Sequence, residues 1–161
     1  MEIADEPIAY FITWTVYGTY LHGDSRWWRQ GGVSREPRPK LEQWHRDRLK
    51  HDIILLSESH RETTKTKIVE HCIHRDWKLW VANPRTNHVH VVVSAPGYLG
   101  TKVRDQLKAN CTCGLRKCDS QFMDRPVWTT KGDVECIWTK EELERVVQYA
   151  EEAQGRMGLG K

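Results

Sequence analysis

The run Asn87-His88-Val89-His90-Val91-Val92-Val93 is where the sequence concentrates its chemistry. Side chains two apart on a β-strand share a face. His88 and His90 therefore project together, while Val89 and Val91 point the other way. Two imidazoles at adjacent same-face positions of a stiff strand are a preorganised pair of nitrogen ligands for a divalent metal. The bland alternative is two histidines on a half-exposed sheet face. The apolar flank counts against it, because so hydrophobic a strand is buried and buried imidazoles need partners.

Other uses of paired histidines fit less well. A histidine-triad nucleotide hydrolase wants a third His where Val92 stands, and a two-histidine phosphoesterase wants a second, separated His-x-Thr. A zinc-protease helix wants His-Glu-x-x-His, which is absent. Cys111-x-Cys113 with Cys118 lacks a second close pair and reads as small buried or half-buried residues, not zinc ligands. His71 and His74, beside Cys72, can touch on a helix but read as a solvated face.

The elements that must position this chemistry follow from periodicity. Ala9–Val16 reads as a strand and 17–32 as a glycine-punctuated loop. Helical stretches are expected over 40–56 and 63–75, the second with an Ile68/Cys72/Ile73 stripe. Residues 77–82 and 87–94 read as an antiparallel strand pair joined by a turn at Asn83-Pro84-Arg85-Thr86. A helix follows over 99–117, then a hairpin of 127–130 with 133–138 around Lys131-Gly132. Thr139 with Glu142 is a capping-box signature for a last helix to about Gln154, whose core stripe is Leu143, Val146, Val147 and Ala150. Strands mixed with helices predict a single α+β domain over 1–161 with a mainly antiparallel sheet.

Charge adds a direction. The net charge is +3, but residues 26–50 carry eight Lys/Arg against three Asp/Glu, and 99–118 carry five against one. These basic segments, with Lys102, Arg104 and Lys108 on one helix, point to phosphate contacts. Loop residues Tyr17, Tyr20, His22, Arg26, Trp27 and Arg29 interleave aromatics with cations, which suits stacking on unpaired bases. No run approaches the ~18 apolar residues of a membrane span. The acidic N-terminus lacks the order of a secretory signal, and five cysteines suit a reducing cytoplasm.

Taken in order, TWTVYGTYLHGD, NHVHVVVSA, VRDQLKAN, VWTTKGDVECIW and VVQYAEEAQG resemble the single-tyrosine HUH transposases, close to the REP-associated tyrosine transposases. The likeness spans most of residues 8–158. It implies a ferredoxin-like HUH core with the histidine pair on a central strand and a nucleophilic tyrosine on a helix nearby. Tyr149 takes that role: it lies ~100–120° from the centre of the last helix's apolar stripe, on its flank. A phenol, with a pKa of ~10, is a poor nucleophile at neutral pH, so a metal must stabilise charge at the phosphate. The family places an amide ligand four residues after the tyrosine. Here Ala153 stands there and Gln154 follows it, which leaves Gln154 and Glu152 as rival third ligands.

The resemblance thus implies Mg2+ or Mn2+ held by His88 and His90, and a 5′-phosphotyrosine at Tyr149 formed on single-stranded or hairpin DNA. It further implies a bacterial cytoplasmic protein, nucleoid-associated when bound to DNA. Relatives include monomers and dimers that share the tyrosine helix, so a homodimer is open. A domesticated module that binds hairpins without cutting them is the alternative.

Overall fold

In a computed structural model of the chain, residues 5–19, 28–30, 33–35 and 38–152 are described. In chain order the elements are β1 (Ala9–Thr15), β2 (Trp28–Gln30), β3 (Val33–Arg35), α1 (Pro39–Asp47), α2 (Glu58–Arg75), β4 (Lys78–Pro84), β5 (His88–Ser94), α3 (Gly100–Cys118), a short 3-10 turn, β6 (Asp133–Ile137) and α4 (Lys140–Glu152). The four long strands form one antiparallel sheet in the order β4-β5-β1-β6. With α2 and α3 as the two crossovers, this is the split β-α-β of a ferredoxin-like α+β fold.

The period of two sorts the sheet's residues between two cores. Ile12 and Trp14 of β1 and Val89, Val91 and Val93 of β5 face α2 and α3, meeting Ile68, Cys72, Val103, Leu107, Cys111 and Leu115. Ala9 of β1, Val81 of β4, Val92 of β5 and Ile137 of β6 face α4, meeting Leu143 and Ala150. β5 is therefore covered on both sides, and six of its seven residues are buried. A bulge in β4 at Leu79/Val81 shifts its register against β5 and lets Asn83 stand opposite His90.

Several expectations are corrected. Helix α2 begins at Glu58, not Thr63, because Ser57 caps it: the Ser57 hydroxyl accepts from the His60 amide, and His60 Nδ1 accepts from the Ser57 amide. A histidine thus does what Glu or Gln does in the usual capping box. The helical stretch expected over 40–56 stops at Asp47. Asn83 and Pro84 belong to β4, not to a turn. The 17–32 loop contains β2, which pairs with β3.

The hairpin expected over 127–138 does not form. Both halves pair with β1 instead: β6 with its start, and residues 127–129 with its end, through Tyr17 N–H to the Val127 carbonyl and Thr129 N–H to the Thr15 carbonyl. Residues 130–132 bulge between them, with Lys131 at φ 68° and Gly132 at φ 135°. Helix α3 holds this bulge. Lys108 Nζ donates to the carbonyls of Thr129 and Lys131, and Arg104 to that of Gly132. Next in the chain is Asp133, delivered beside β1.

Among the described glycines, Gly132 combines a left-handed φ with a close approach to backbone. An added Cβ would lie 2.7 Å from the Thr13 carbonyl oxygen, at a φ that L residues rarely adopt. Gly132→Ala is expected to lower stability by about 1–3 kcal/mol in urea denaturation. A change below about 0.5 kcal/mol would mean the bulge relaxes freely.

Candidate functional site

Strand register assembles the site. Thr13 of β1 and Asn83 of β4 flank His90 of β5, and Asp133 of β6 lies beyond Thr13, so a polar row crosses the whole sheet. Thr15 stands opposite His88 in the neighbouring row. The period of two puts both histidines on one face, as their spacing predicts, with ring centroids 4.6 Å apart, and that face is the one toward α4. Both are buried, at 1% and 2% exposure.

Each imidazole is oriented through Nδ1. His88 Nδ1 lies 3.0 Å from Asn87 Oδ1, and His90 Nδ1 lies 3.0 Å from Thr13 Oγ1. With Nδ1 protonated and donating, each Nε2 keeps the lone pair that a metal uses. Burial, helped by the positive charge of Arg85, pushes the His90 pKa down to about 4. The ring is thus neutral near pH 7, the form that ligates.

Helix α4 brings Tyr149 to the same place. Its apolar stripe docks on β4 and β5, which leaves Tyr149 half-buried on the flank. The phenol ring stands 6.1 Å from the His90 ring, and both rings pack against Phe11, at 5.9 Å and 5.4 Å. A cavity of about 130 Å³ opens between Phe11, Thr13, His90, Asp133, Glu135 and Tyr149. It adjoins a wider cleft of about 590 Å³ that runs along α4 past Arg145, Gln148 and Glu152.

The donor set fits a divalent cation in part. Two oriented imidazoles supply nitrogen, and the carboxylates of Asp133 and Glu135 line the small cavity with His90. Among the described residues, no three His, Cys, Asp or Glu side chains group closely enough to hold a metal unaided. Glu152 lines the outer cleft. Gln154 lies outside the described residues.

The other sequence candidates scatter. Tyr20, His22, Arg26 and Trp27 lie outside the described residues, and Arg29 is described only through its backbone in β2. Tyr17 turns inward: its hydroxyl accepts from the Lys50 amide, and its ring meets His51 edge-on. Lys102 is exposed. Arg104 and Lys108 aim their cationic heads at the 129–132 bulge, not at open solvent, so they build the turn that precedes Asp133. His71 corrects the solvated-face expectation, since it is buried between α2 and α3 against Gln106 and Asn110. Cys111 is buried as expected, but Cys113 and Cys118 are exposed.

Phe11, Thr13, Asn83, Asp133 and Glu135 were not singled out by type or spacing. Only the register of β1 and β4 against β5, and of β6 against β1, brings them to the histidines. The one signal for Thr13 was its place in a strand with alternating faces, and that does not say which face the histidines share.

The depressed His90 pKa predicts a pH dependence of the metal-free protein. Between pH 6.5 and about 4 the unfolded chain takes up a proton that the folded chain refuses. Stability is therefore fully present above pH 6.5 and falls on acidification through that window, by up to about 3 kcal/mol. Urea denaturation at pH 7 and pH 4.5 should show this component in the wild type and its absence in His90→Gln. Equal acid losses in both proteins would contradict it.

No family model and no curated protein matches the sequence. Solved structures do match the fold. A structure described as a putative transposase from Deinococcus radiodurans is 11% identical with a TM-score of 0.53, the match covering 94% of this chain and 96% of that one. A REP-associated tyrosine transposase bound to a REP hairpin is 12% identical with a TM-score of 0.57, covering 98% of this chain and 73% of that one. No described helix is long and apolar enough to cross a membrane. At these identities it is the fold that is shared, over most of the chain, with these two structures.

Proposed function

We propose that this protein is a DNA transposase that cuts and rejoins single strands, with Tyr149 as nucleophile and His88 and His90 as metal ligands. The observation that carries this reading is the packing of the Tyr149 ring 6.1 Å from His90, itself 4.6 Å from His88. Tyr149 of α4 and His90 of β5 line one cavity, and the His88 ring packs against His90. The fold shared with a hairpin-bound transposase supports the same reading.

In the proposed reaction the Tyr149 oxygen forms a bond to the scissile phosphorus as the bond from phosphorus to the 3′ oxygen breaks. The phenol gives up its proton and the departing 3′ oxygen gains one. The product is a 5′-phosphotyrosine and a free 3′-OH, and reversal of the step joins strands. Mg2+ or Mn2+ held by His88 and His90 supplies charge neutralisation at the phosphate. Thr13 fixes the His90 ring, and Phe11, packed edge-on to Tyr149, restricts the swing of the phenol. Gln154 is the proposed third ligand, with Glu152 as its rival.

The substrate is single-stranded or hairpin DNA of the bacterial chromosome, reached in the cytoplasm. Binding should prefer single strands and hairpins over blunt duplex and weaken steeply with salt, as phosphate contacts release counterions. Equal affinity for duplex and single strand at one salt concentration would contradict this.

Incubation with hairpin oligonucleotides and Mg2+ should give a DNA–protein adduct that survives denaturant. Tyr149→Phe should abolish the adduct and leave hairpin binding nearly intact, while His88→Ala or His90→Ala should each remove cleavage. Gln154→Ala should weaken activity strongly and raise the metal concentration needed, and Glu152→Ala should do less. Undiminished adduct from the Phe variant would move the nucleophile elsewhere.

A further inference from the structure

One member of the polar row across the sheet, Asn83, hydrogen-bonds to the backbone of the tyrosine helix. Asn83 sits opposite His90 on β4, and its side-chain amide donates to the carbonyls of Ala150 and Glu151, at 2.8 Å and 3.3 Å. These carbonyls follow Tyr149 immediately. They belong to the final residues of α4 among those described. The apolar contacts of α4 come from Leu143, Val146, Val147 and Ala150, and the Asn83 amide adds a polar tie to the sheet at Ala150 and Glu151.

We propose that Asn83 is a positioning residue. It pins the last turn of α4 to the strand beside His90 and so fixes the distance between the Tyr149 phenol and the histidine pair. The proposal rests on the reading of Tyr149 as nucleophile for its functional meaning, but its structural content stands apart from that reading. Pro84 follows Asn83 and Asn83 is part of β4, so the amide projects from a regular strand. A residue on a strand next to the ligand strand transmits the metal-site geometry to the helix with little slack.

The chemistry predicts an order of substitutions. Asn83→Ala removes the donor. Asn83→Asp keeps the size but presents an anion to two carbonyl oxygens, so it is the worse of the two. A side chain that only fills space would rank Asp above Ala.

The test uses the full-length protein and two readouts that need neither metal nor DNA. Amide hydrogen exchange of residues 149–152 should quicken by about fivefold in Asn83→Ala, the equivalent of one lost hydrogen bond, and by more in Asn83→Asp. Exchange in α2 and α3 should stay at wild-type rates. The Overhauser contact between the Tyr149 and His90 rings should weaken in the same order. Exchange and ring contact unchanged in both variants, or Asp performing better than Ala, would overturn the proposal.

A third arm separates it from the proposed function. With Mg2+ and a hairpin oligonucleotide, adduct should form more slowly in the order Asn, Ala, Asp, at unchanged hairpin affinity. If the wild type forms no adduct while exchange follows the predicted order, the nuclease reading fails and the clamp stands. If adduct forms at equal rates in all three proteins, Asn83 does not position the nucleophile.

Discussion

β5 is covered on both faces, and a polar side chain on such a strand must find its partners within the sheet. Val89, Val91 and Val93 satisfy one face by burying against α2 and α3. On the other face His88 and His90 interrupt what is otherwise an apolar layer under α4. Thr13 of the neighbouring strand answers at His90, and Asn87, just before β5, answers at His88. The histidines are thus held by hydrogen bonds that leave one nitrogen of each ring for a ligand. Everything else in the site is arranged around that row.

Two further elements depend on it. Helix α4 lies over the apolar part of the same face and reaches the polar row only with its last turns, where Tyr149 projects and Asn83 meets the helix carbonyls. From the opposite side of the sheet, α3 sends Lys108 and Arg104 to hold the bulge at 130–132, and the chain leaves it at Asp133. Burial lowers the Lys108 pKa to about 8, in keeping with an ammonium placed among loop carbonyls and not in solvent. A basic helix that looks like a phosphate-binding stripe in the sequence is, at two of its positions, part of the scaffold.

How much was legible in the sequence follows from which signals are local. The histidine pair, its shared face and the flank position of Tyr149 follow from periods of two and 3.6, and the structure keeps them. The ferredoxin-like order came from the resemblance and agrees with the observed β4-β5-β1-β6 sheet. What failed depended on partners distant in sequence. Residues 127–130 and 133–138 have the composition of a hairpin, yet both halves find more edge to pair with on β1. His71 looks solvated until α3 places Gln106 and Asn110 against it. The start of α2 was missed because its capping residue at the third position is His60, tied in turn to Asp119 at 2.8 Å. Thr13, Asn83 and Asp133 are visible only once register is known.

The central claim is that the histidine pair and Tyr149 form one metal-dependent site. The most direct measurement is a crystal structure of the protein with Mn2+, using the metal's anomalous scattering. The assignment predicts an anomalous peak within coordination distance of both His88 Nε2 and His90 Nε2, facing the cavity that Tyr149 lines, with Gln154 or Glu152 completing the shell. An anomalous map with no peak at the pair under saturating Mn2+, or with Tyr149 turned away from a bound ion, would contradict it.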